Sequence, residues 1–432
     1  MAAARQLDVY LRGRRCAVVT QSVRGLVLDY ERDYVEDCGD WPLSYSLPVT
    51  RRRHTGPEVG AFLDNLLPDN GEVRREWARM HGARSTDAFD LLWYVGADCA
   101  GAATFFPRGT DPVSTGALTL LDEAAVAQRI RDLRERPASW SGSSGAGRFS
   151  LGGAQSKFAL ARTATGWAEP VGVQPSTHIF KTGVPGLESS DVVEYLTMRA
   201  AHAVSSGFPS LSPGVAEVSL ETFEDQRALV VTRFDRELQP DGARRVHTED
   251  VCQVLGLSSL RKYEADGGPG ISGTLGAFDR LPTTATAAAS KAAFVYALML
   301  NWVIGGTDAH AKNYSVFVGP GGRLAPLYDL TSYAAYTGSI AGCDLPMRVE
   351  GNLLFGDVLP IHWRSLARAV GLDRTVVTSV VETLTALVPA VWVAEMATLD
   401  EELLTPTVIE SATVLTDWCD SVRDALLRDS AA

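Results

Sequence analysis

The change of character at Gly305 and Gly306 constrains this chain more than any other feature. Residues 292–304 are its most apolar helical stretch, and the two glycines stop it. The segment 305–317, GGTDAHAKNYSVF, then crowds Asp, His, Lys and Asn into a few positions. An apolar helix, a glycine stop and a dense polar cluster mark a passage from packing to chemistry. The chain must therefore bury a long helix and present a loop at its end.

Asp308 and Asn313 are five residues apart, the spacing at which kinase catalytic loops hold a base and a metal-binding amide. Sixteen residues later comes Asp329, in LAPLYDLTS, where a kinase keeps its main Mg2+ ligand. Magnesium takes hard oxygen donors, carboxylates and phosphates above all. Taken alone, Asp308 and Asn313 also suit an ordinary polar turn. Asp329 and the elements upstream favour the chemical reading.

With 432 residues and 46% hydrophobic content, the chain can bury a large core, and its length suggests about two or three domains. The net charge of −12 argues against a protein whose own task is gripping nucleic acid. The short basic run Arg51, Arg52, Arg53 reads as a solvated face. The six cysteines are scattered without a CxxC pair, and no HExxH occurs, so neither a disulfide framework nor a zinc site is expected. Residues 1–8 hold no apolar leader, and 292–304 is too short for a membrane span and is interrupted by Asn301. A cytoplasmic protein without membrane contact is expected.

Short alternating runs at 7–11, 16–19 and 26–30 suit strands. A helix follows Pro57, with Val59, Phe62, Leu63 and Leu66 on one face; a second, capped at each end, runs from Asp87 to Gly96; a strand at 102–106 closes this part. Residues 107–116 read as a linker, 122–134 as a helix, and 139–147 as a flexible Ser/Gly stretch. A hairpin is expected over 149–162, a strand at 177–182, a helix from Ser190 and Asp191, and paired strands at 215–220 and 228–232. Beyond Asp250 the pattern is helical, apart from an irregular region over 305–350. This order predicts an α+β chain: a two-lobe protein-kinase-like fold, β-rich N-lobe and helical C-lobe, behind a small α+β N-terminal subdomain. The expected division is 1–107 for the subdomain, 108–148 for a linker with a bridging helix, 149–236 for the N-lobe and 237–432 for the C-lobe.

Lys181 lies in a short apolar strand, where a lysine needs a task for its ammonium group. In a kinase that task is holding the α- and β-phosphates, braced by a helix glutamate; Glu194 is thirteen residues on. The string Asp191-Val192-Val193-Glu194 also fits a capping box. No Gly-Lys dipeptide occurs, which excludes a Walker A loop. Gly145 and Gly147 begin a GxGxxG whose third glycine is replaced by Ser150. What remains is SLGGAQSK, residues 150–157, with Gly152 and Gly153 able to bring backbone N–H groups near phosphate oxygens.

Together these strings resemble the HipA family of serine/threonine kinases over nearly the whole chain. PLSYSLPV (42–49), FLDNLLPDN (62–70) and FDLLWYVGADCAGAATFFP (89–107) resemble the family's N-terminal part. SLGGAQSKFAL (150–160) resembles its phosphate loop, PSTHIFK (175–181) its lysine strand and VTRFDR (231–236) its hinge. KYEADGGPGI (262–271) resembles a family loop, GGTDAHAKNYSVF its catalytic loop and LAPLYDLTS (324–332) its metal segment.

The resemblance implies Asp308 as catalytic aspartate, with His310 and Lys312 of the same loop near phosphate, and Asn313 and Asp329 as Mg2+ ligands. It implies ATP contacts from Gly152, Gly153, Ala154, Gln155, Lys157 and Lys181, and from Thr232, Phe234 and Asp235 at the hinge, where backbone groups of Thr232 and Phe234 meet the adenine. Thr232 stands where several relatives carry an acidic residue, a change that a backbone contact survives. Ser150 matches the serine such kinases phosphorylate in themselves; Ser141, Ser143, Ser144 and Ser156 are neighbouring alternatives. The implied substrate is an aminoacyl-tRNA synthetase or another translation protein. The implied partner is a small helix-turn-helix antitoxin, with DNA reached only through it. Two rivals remain at this point. The order Asp308-x-His310-x-x-Asn313 also resembles inositide lipid kinases, against which the acidic charge and the lack of a basic amphipathic segment count. The other is a pseudokinase serving as scaffold in an antitoxin–DNA complex.

Overall fold

The computed structural model describes residues 4–110, 112, 116–140, 149–239 and 242–430. Gly145, Gly147, Ser141, Ser143 and Ser144, and with them most of the Ser/Gly stretch, lie outside the described residues. The chain divides into two compact units. The first comprises Met1–Thr182, Leu220–Arg261 and Val316–Gly322, and the second Gly183–Ser219, Lys262–Ser315 and Arg323–Ala432.

The two largest sheets belong to the first unit. In the N-terminal one, β1 (Arg5–Leu11), β2 (Arg14–Ser22), β3 (Gly25–Tyr30) and β4 (Arg53–His54) lie in the order β4-β3-β2-β1, and β5 (Asp98–Cys99) precedes β6 (Ala103–Pro107), which pairs with β1. Alternation along β1 buries Leu7, Val9 and Leu11, and the helix Pro57–Asn65 contributes Val59, Phe62 and Leu63 to the same core. The second sheet is built from β7 (Ala117–Leu121), β9 (Lys157–Thr163), β10 (Gly166–Val171), β11 (His178–Lys181), β12 (Val218–Phe223) and β13 (Gln226–Thr232), in the order β12-β13-β11-β9-β10-β7. One continuous apolar cluster joins Leu7 of the first sheet to Phe180 and Val230 of the second. The N-terminal residues therefore share a core with the strands that follow.

Two local expectations are corrected. The hairpin expected over 149–162 does not form. β8 (Phe149–Ser150) pairs parallel with β5, and β9 pairs with β10 and β11 instead. Gly152 and Gly153 interrupt the run, so the residues before and after them join different sheets. The helix Ala88–Val95 has Asp87 at its N-cap position, yet the Asp87 side chain makes no capping bond. At the other end Gly96 is right-handed, and glycine is needed there because a Cβ would lie 2.7 Å from Phe105 Cβ.

The second unit is organised by the helix Thr284–Ile304. It begins earlier than its apolar part because Thr283 caps it, its hydroxyl accepting from Thr286 N at 3.1 Å. Gly305, at φ 68°, ends it in the left-handed conformation. Trp302 packs on Trp363 and Trp418, ring centroids 5.6 and 5.7 Å away. The helix Arg374–Met396 buries Val377, Val380, Val381, Leu384, Val388 and Trp392 along one face. By length and composition both helices are apolar enough to cross a membrane, with mean hydropathies of 1.4 and 1.8; the most apolar window is 78% buried in the first and 39% in the second. The helix Ser190–Ser205 belongs to this unit too, tied to Arg374–Met396 by the Arg199–Glu395 ion pair at 3.0 Å. Its N-cap is Ser189, at φ 53° and without a side-chain capping bond, so Asp191 and Glu194 lie inside the helix and the capping-box reading falls.

Candidate active site

The candidate residues fall into two groups, one in each unit. In the sheet unit, the stretch after β8 is fastened to the N-terminal residues. Ser150 is fully buried and its hydroxyl donates to Leu66 O at 2.7 Å. Asp69 N donates to Gly153 O at 2.9 Å. Gly153 sits at φ 96°, a conformation L side chains rarely adopt, and a Cβ there would lie 2.7 Å from Lys157 Nζ. That ammonium donates to Gly152 O at 2.8 Å and lies 5.4 Å from the Trp140 ring centroid. Lys157 and Lys181 are register partners across β9 and β11, and both are buried. Gln155 Nε2 donates to Thr182 O at 3.3 Å. Ala154 is exposed. The loop and its two lysines are thus brought to one end of one sheet.

The hinge residues follow β13. Thr232 pairs with His178, and Arg233 N donates to Thr177 O at 3.0 Å. Asp235 is the clearest departure from expectation. Its carboxylate accepts from Gly101 N at 2.7 Å and from Arg233 Nη2 at 2.8 Å, with Arg236 Nη1 2.9 Å away, so it is occupied inside the protein and not offered to a nucleotide. It belongs to a buried network in which Arg236 also reaches Asp98 at 2.9 Å and Arg245 reaches Asp98 at 3.1 Å. Ser176 N donates to the same Asp98 carboxylate at 3.0 Å. Burial pushes both carboxyls up, but the guanidiniums outweigh it: Asp235 is held at about 2, and Asp98 well below the usual carboxylate range. Sequence reading missed this network. Its signal was Arg233 and Arg236 directly beyond the apolar strand β13, where buried charges persist only with partners.

In the helical unit, the loop after Gly305 is held from within. Asn313 Nδ2 donates to Asp308 O at 2.7 Å, which spends the nitrogen end of the amide and leaves its oxygen for a cation. His310 N also donates to Asp308 O, at 2.8 Å. The Asp308 side chain is 44% exposed, whereas His310 is buried. Burial pushes the His310 imidazole below its ordinary value, more than the Asp308 charge 4.0 Å away raises it, so the ring is neutral near pH 7. Lys312 is buried, and its carbonyl accepts from the Tyr328 hydroxyl at 2.7 Å. Asp329 has φ 58°, the left-handed region, where a non-glycine residue is costly and such strain clusters at functional sites. Glu194 is buried within its helix. Among the described residues no group of three His, Cys, Asp or Glu could hold a metal unaided. One carboxylate and one amide oxygen fit Mg2+ that takes its other ligands from phosphate and water.

Comparison with known proteins decides the family. The HipA-like C-terminal domain profile matches residues 149–392, more than half of the chain, and the HipA N-terminal domain profile matches 7–106. The chain belongs to the HipA family. It is 32% identical to the putative kinase Y4mE of Sinorhizobium fredii, over 86% of this chain and 87% of that one. It is 32% identical to the serine/threonine-protein kinase toxin HipA of Shewanella oneidensis, over 71% of this chain and 70% of that one. The solved complex of Shewanella oneidensis HipA with HipB and operator DNA contains a chain that aligns at TM-score 0.77 and 27% identity, covering 98% of each. The mixed α/β, kinase-like fold of HipA proteins is therefore the fold of this chain.

One residue of this HipA-family site carried no chemical assignment in the sequence. Tyr263, in the loop KYEADGGPGI, donates its hydroxyl to Asp308 Oδ1. Its ring packs edge-on against His310, centroids 4.8 Å apart.

Proposed function

We propose that this chain is an ATP- and Mg2+-dependent serine/threonine protein kinase acting as the toxin of a toxin–antitoxin pair. The observation that carries the reading is the Asp308 loop: a partly exposed carboxylate whose backbone oxygen is held by the nitrogen of Asn313. Asp308 aligns the acceptor hydroxyl and takes up its proton. Lys181 and Lys157, with Gly152 and Gly153, hold the phosphates, and backbone groups of Thr232 and Phe234 meet the adenine. Glu194 braces Lys181. Asn313 and Asp329 hold Mg2+, which when bound neutralises charge on the phosphates. Most of the catalysis is then positioning and charge neutralisation. The substrate is an aminoacyl-tRNA synthetase or another translation protein, in the cytoplasm. A small helix-turn-helix antitoxin restrains the enzyme and links it to DNA; the complex solved for the Shewanella relative supports that partner. Ser150 is the site of self-phosphorylation.

The test is incubation of the full chain with radiolabelled ATP and Mg2+, alone, with purified aminoacyl-tRNA synthetases, and with phosphoinositide vesicles. Label on protein serine or threonine is the expected result. ATP binding without transfer indicates a pseudokinase, and label on lipid alone indicates a lipid kinase.

A further inference from the structure

We propose that Tyr263 is a positioning residue for phosphoryl transfer, holding the Asp308 carboxylate so that one oxygen stays fixed and the other faces the acceptor hydroxyl. The inference rests on the reading of Asp308 as the proton acceptor.

Four contacts carry it. The Tyr263 hydroxyl donates to Oδ1 of Asp308, and among the described residues Oδ2 accepts no such bond. A carboxylate pinned at one oxygen loses the freedom to turn about its last side-chain bond, so the second oxygen is pre-aimed. The Tyr263 ring is itself restrained by its edge-on contact with buried His310. Finally, Ala311 N donates to Lys262 O at 3.1 Å, which ties the backbone beside Tyr263 to the catalytic loop. Further along the same loop, Glu264 accepts from Arg348 N at 2.7 Å, anchoring it a second time. Tyrosine and aspartate, 45 positions apart in sequence, thus belong to two segments locked together. An exposed aspartate without such support samples several rotamers, and an acceptor hydroxyl then meets it in the productive one only part of the time.

The hydroxyl also orders the proton traffic. Because Tyr263 donates to Asp308, its own proton stays on the phenol oxygen, and Oδ2 is the atom that takes the proton from the acceptor. No proton passes through the tyrosine.

The experiment uses the full chain with radiolabelled ATP and Mg2+, reading label on the chain and inorganic phosphate released to water. Tyr263→Phe, Asp308→Asn and the double variant are compared with wild type. Tyr263→Phe retains the ring against His310 and removes only the hydroxyl. It should lower kcat about 10-fold, within the ~10²-fold that small misplacements cost, while the KM for ATP stays within twofold. The double variant should be no slower than Asp308→Asn, since the hydroxyl acts only through that carboxylate. A kcat for Tyr263→Phe within twofold of wild type, or above it, overturns the proposal. So does a parallel loss of kcat and ATP affinity, which marks a structural role. If Asp308→Asn itself transfers normally, the assignment of Asp308 falls and Tyr263 with it. If Asp308→Asn is inactive and Tyr263→Phe is not, only the role of Tyr263 falls.

Discussion

Lys157 and Lys181 face each other in direct register across β9 and β11, two buried lysines on one side of one sheet. Like charges placed opposite on paired strands repel, and a polyphosphate is the ligand that turns this arrangement to advantage. Replacing either lysine by Met should weaken ATP about 10-fold to 100-fold, the worth of a hydrogen bond to a charged group. Adenosine should bind both variants as it binds the wild type. Calorimetric titration with the two ligands checks this, and equal weakening of both would point to a folding defect.

Asp308→Asn should bind Mg2+-ATP normally and transfer its phosphate about 10²-fold to 10⁴-fold more slowly, the usual contribution of general acid–base catalysis. The substitution is nearly isosteric, and the loop's internal bonds use the Asp308 backbone oxygen, not the carboxylate. Single-turnover transfer measured beside nucleotide binding separates the two effects.

Asp329 combines a candidate ligand with a left-handed backbone at φ 58°. Asparagine tolerates that conformation and alanine does not, by about 1–2 kcal/mol. Asp329→Asn and Asp329→Ala should therefore both lose Mg2+ stimulation of ATP binding, while only Asp329→Ala loses that much stability. Urea denaturation together with Mg2+ titration distinguishes ligand loss from strain.

How far such residues were legible in the sequence follows from what each one depends on. Asp308, Asn313 and Asp329 stand out as candidates because kinase chemistry would require fixed residue types near a helix stop, and Gly305 closes its helix as its position predicts. Strands with clean alternation, such as β1, were equally readable. What escaped depends on partners far away in sequence. Nothing near Tyr263 points to Asp308, and nothing near Asp98 points to Arg236. The expected hairpin over 149–162 failed for the same reason, because alternation shows that a strand exists but not which strand it joins. The carboxylate of Asp235, expected at the nucleotide, is claimed in the fold by three partners, Gly101, Arg233 and Arg236, which the motif alone does not reveal.

The Asp98–Asp235 network gives an acid-stability prediction. Both carboxyls are depressed in the folded chain, so their contribution is present above the unfolded value near pH 4 and disappears as pH falls through the folded value, about 2 for Asp235. Asp235→Asn should flatten the fall in stability between about pH 4 and pH 2. Asp98→Ala leaves buried guanidiniums uncompensated, at a cost of about 3–5 kcal/mol at neutral pH. Chemical denaturation across this pH range, read for wild type and both variants, measures each effect.

Phosphorylation of Ser150 requires the structure around it to open. Its hydroxyl is fully buried and bonded to Leu66 O at 2.7 Å, in a strand of two residues paired with Asp98–Cys99. A phosphate adds roughly −1.5 to −2 charges and three acceptor oxygens, which cannot replace a donor facing a carbonyl in a dry site. The modified strand must leave β5. The stretch 151–157 follows directly in the chain, so its bond from Asp69 N to Gly153 O is disrupted with it. ATP affinity should therefore collapse in the modified protein, and hydrogen exchange should rise at residues 66–69, 98–99 and 150–157 together. Ser150→Ala, which lacks the charge, should retain both the pairing and nucleotide binding, with a stability loss of only about 1 kcal/mol for the missing hydrogen bond. Peptide mapping after incubation with Mg2+-ATP, followed by exchange and nucleotide titration of the modified fraction, decides the matter. Phosphate mapped to another residue, or exchange unchanged at residues 66–69, removes Ser150 as the switch.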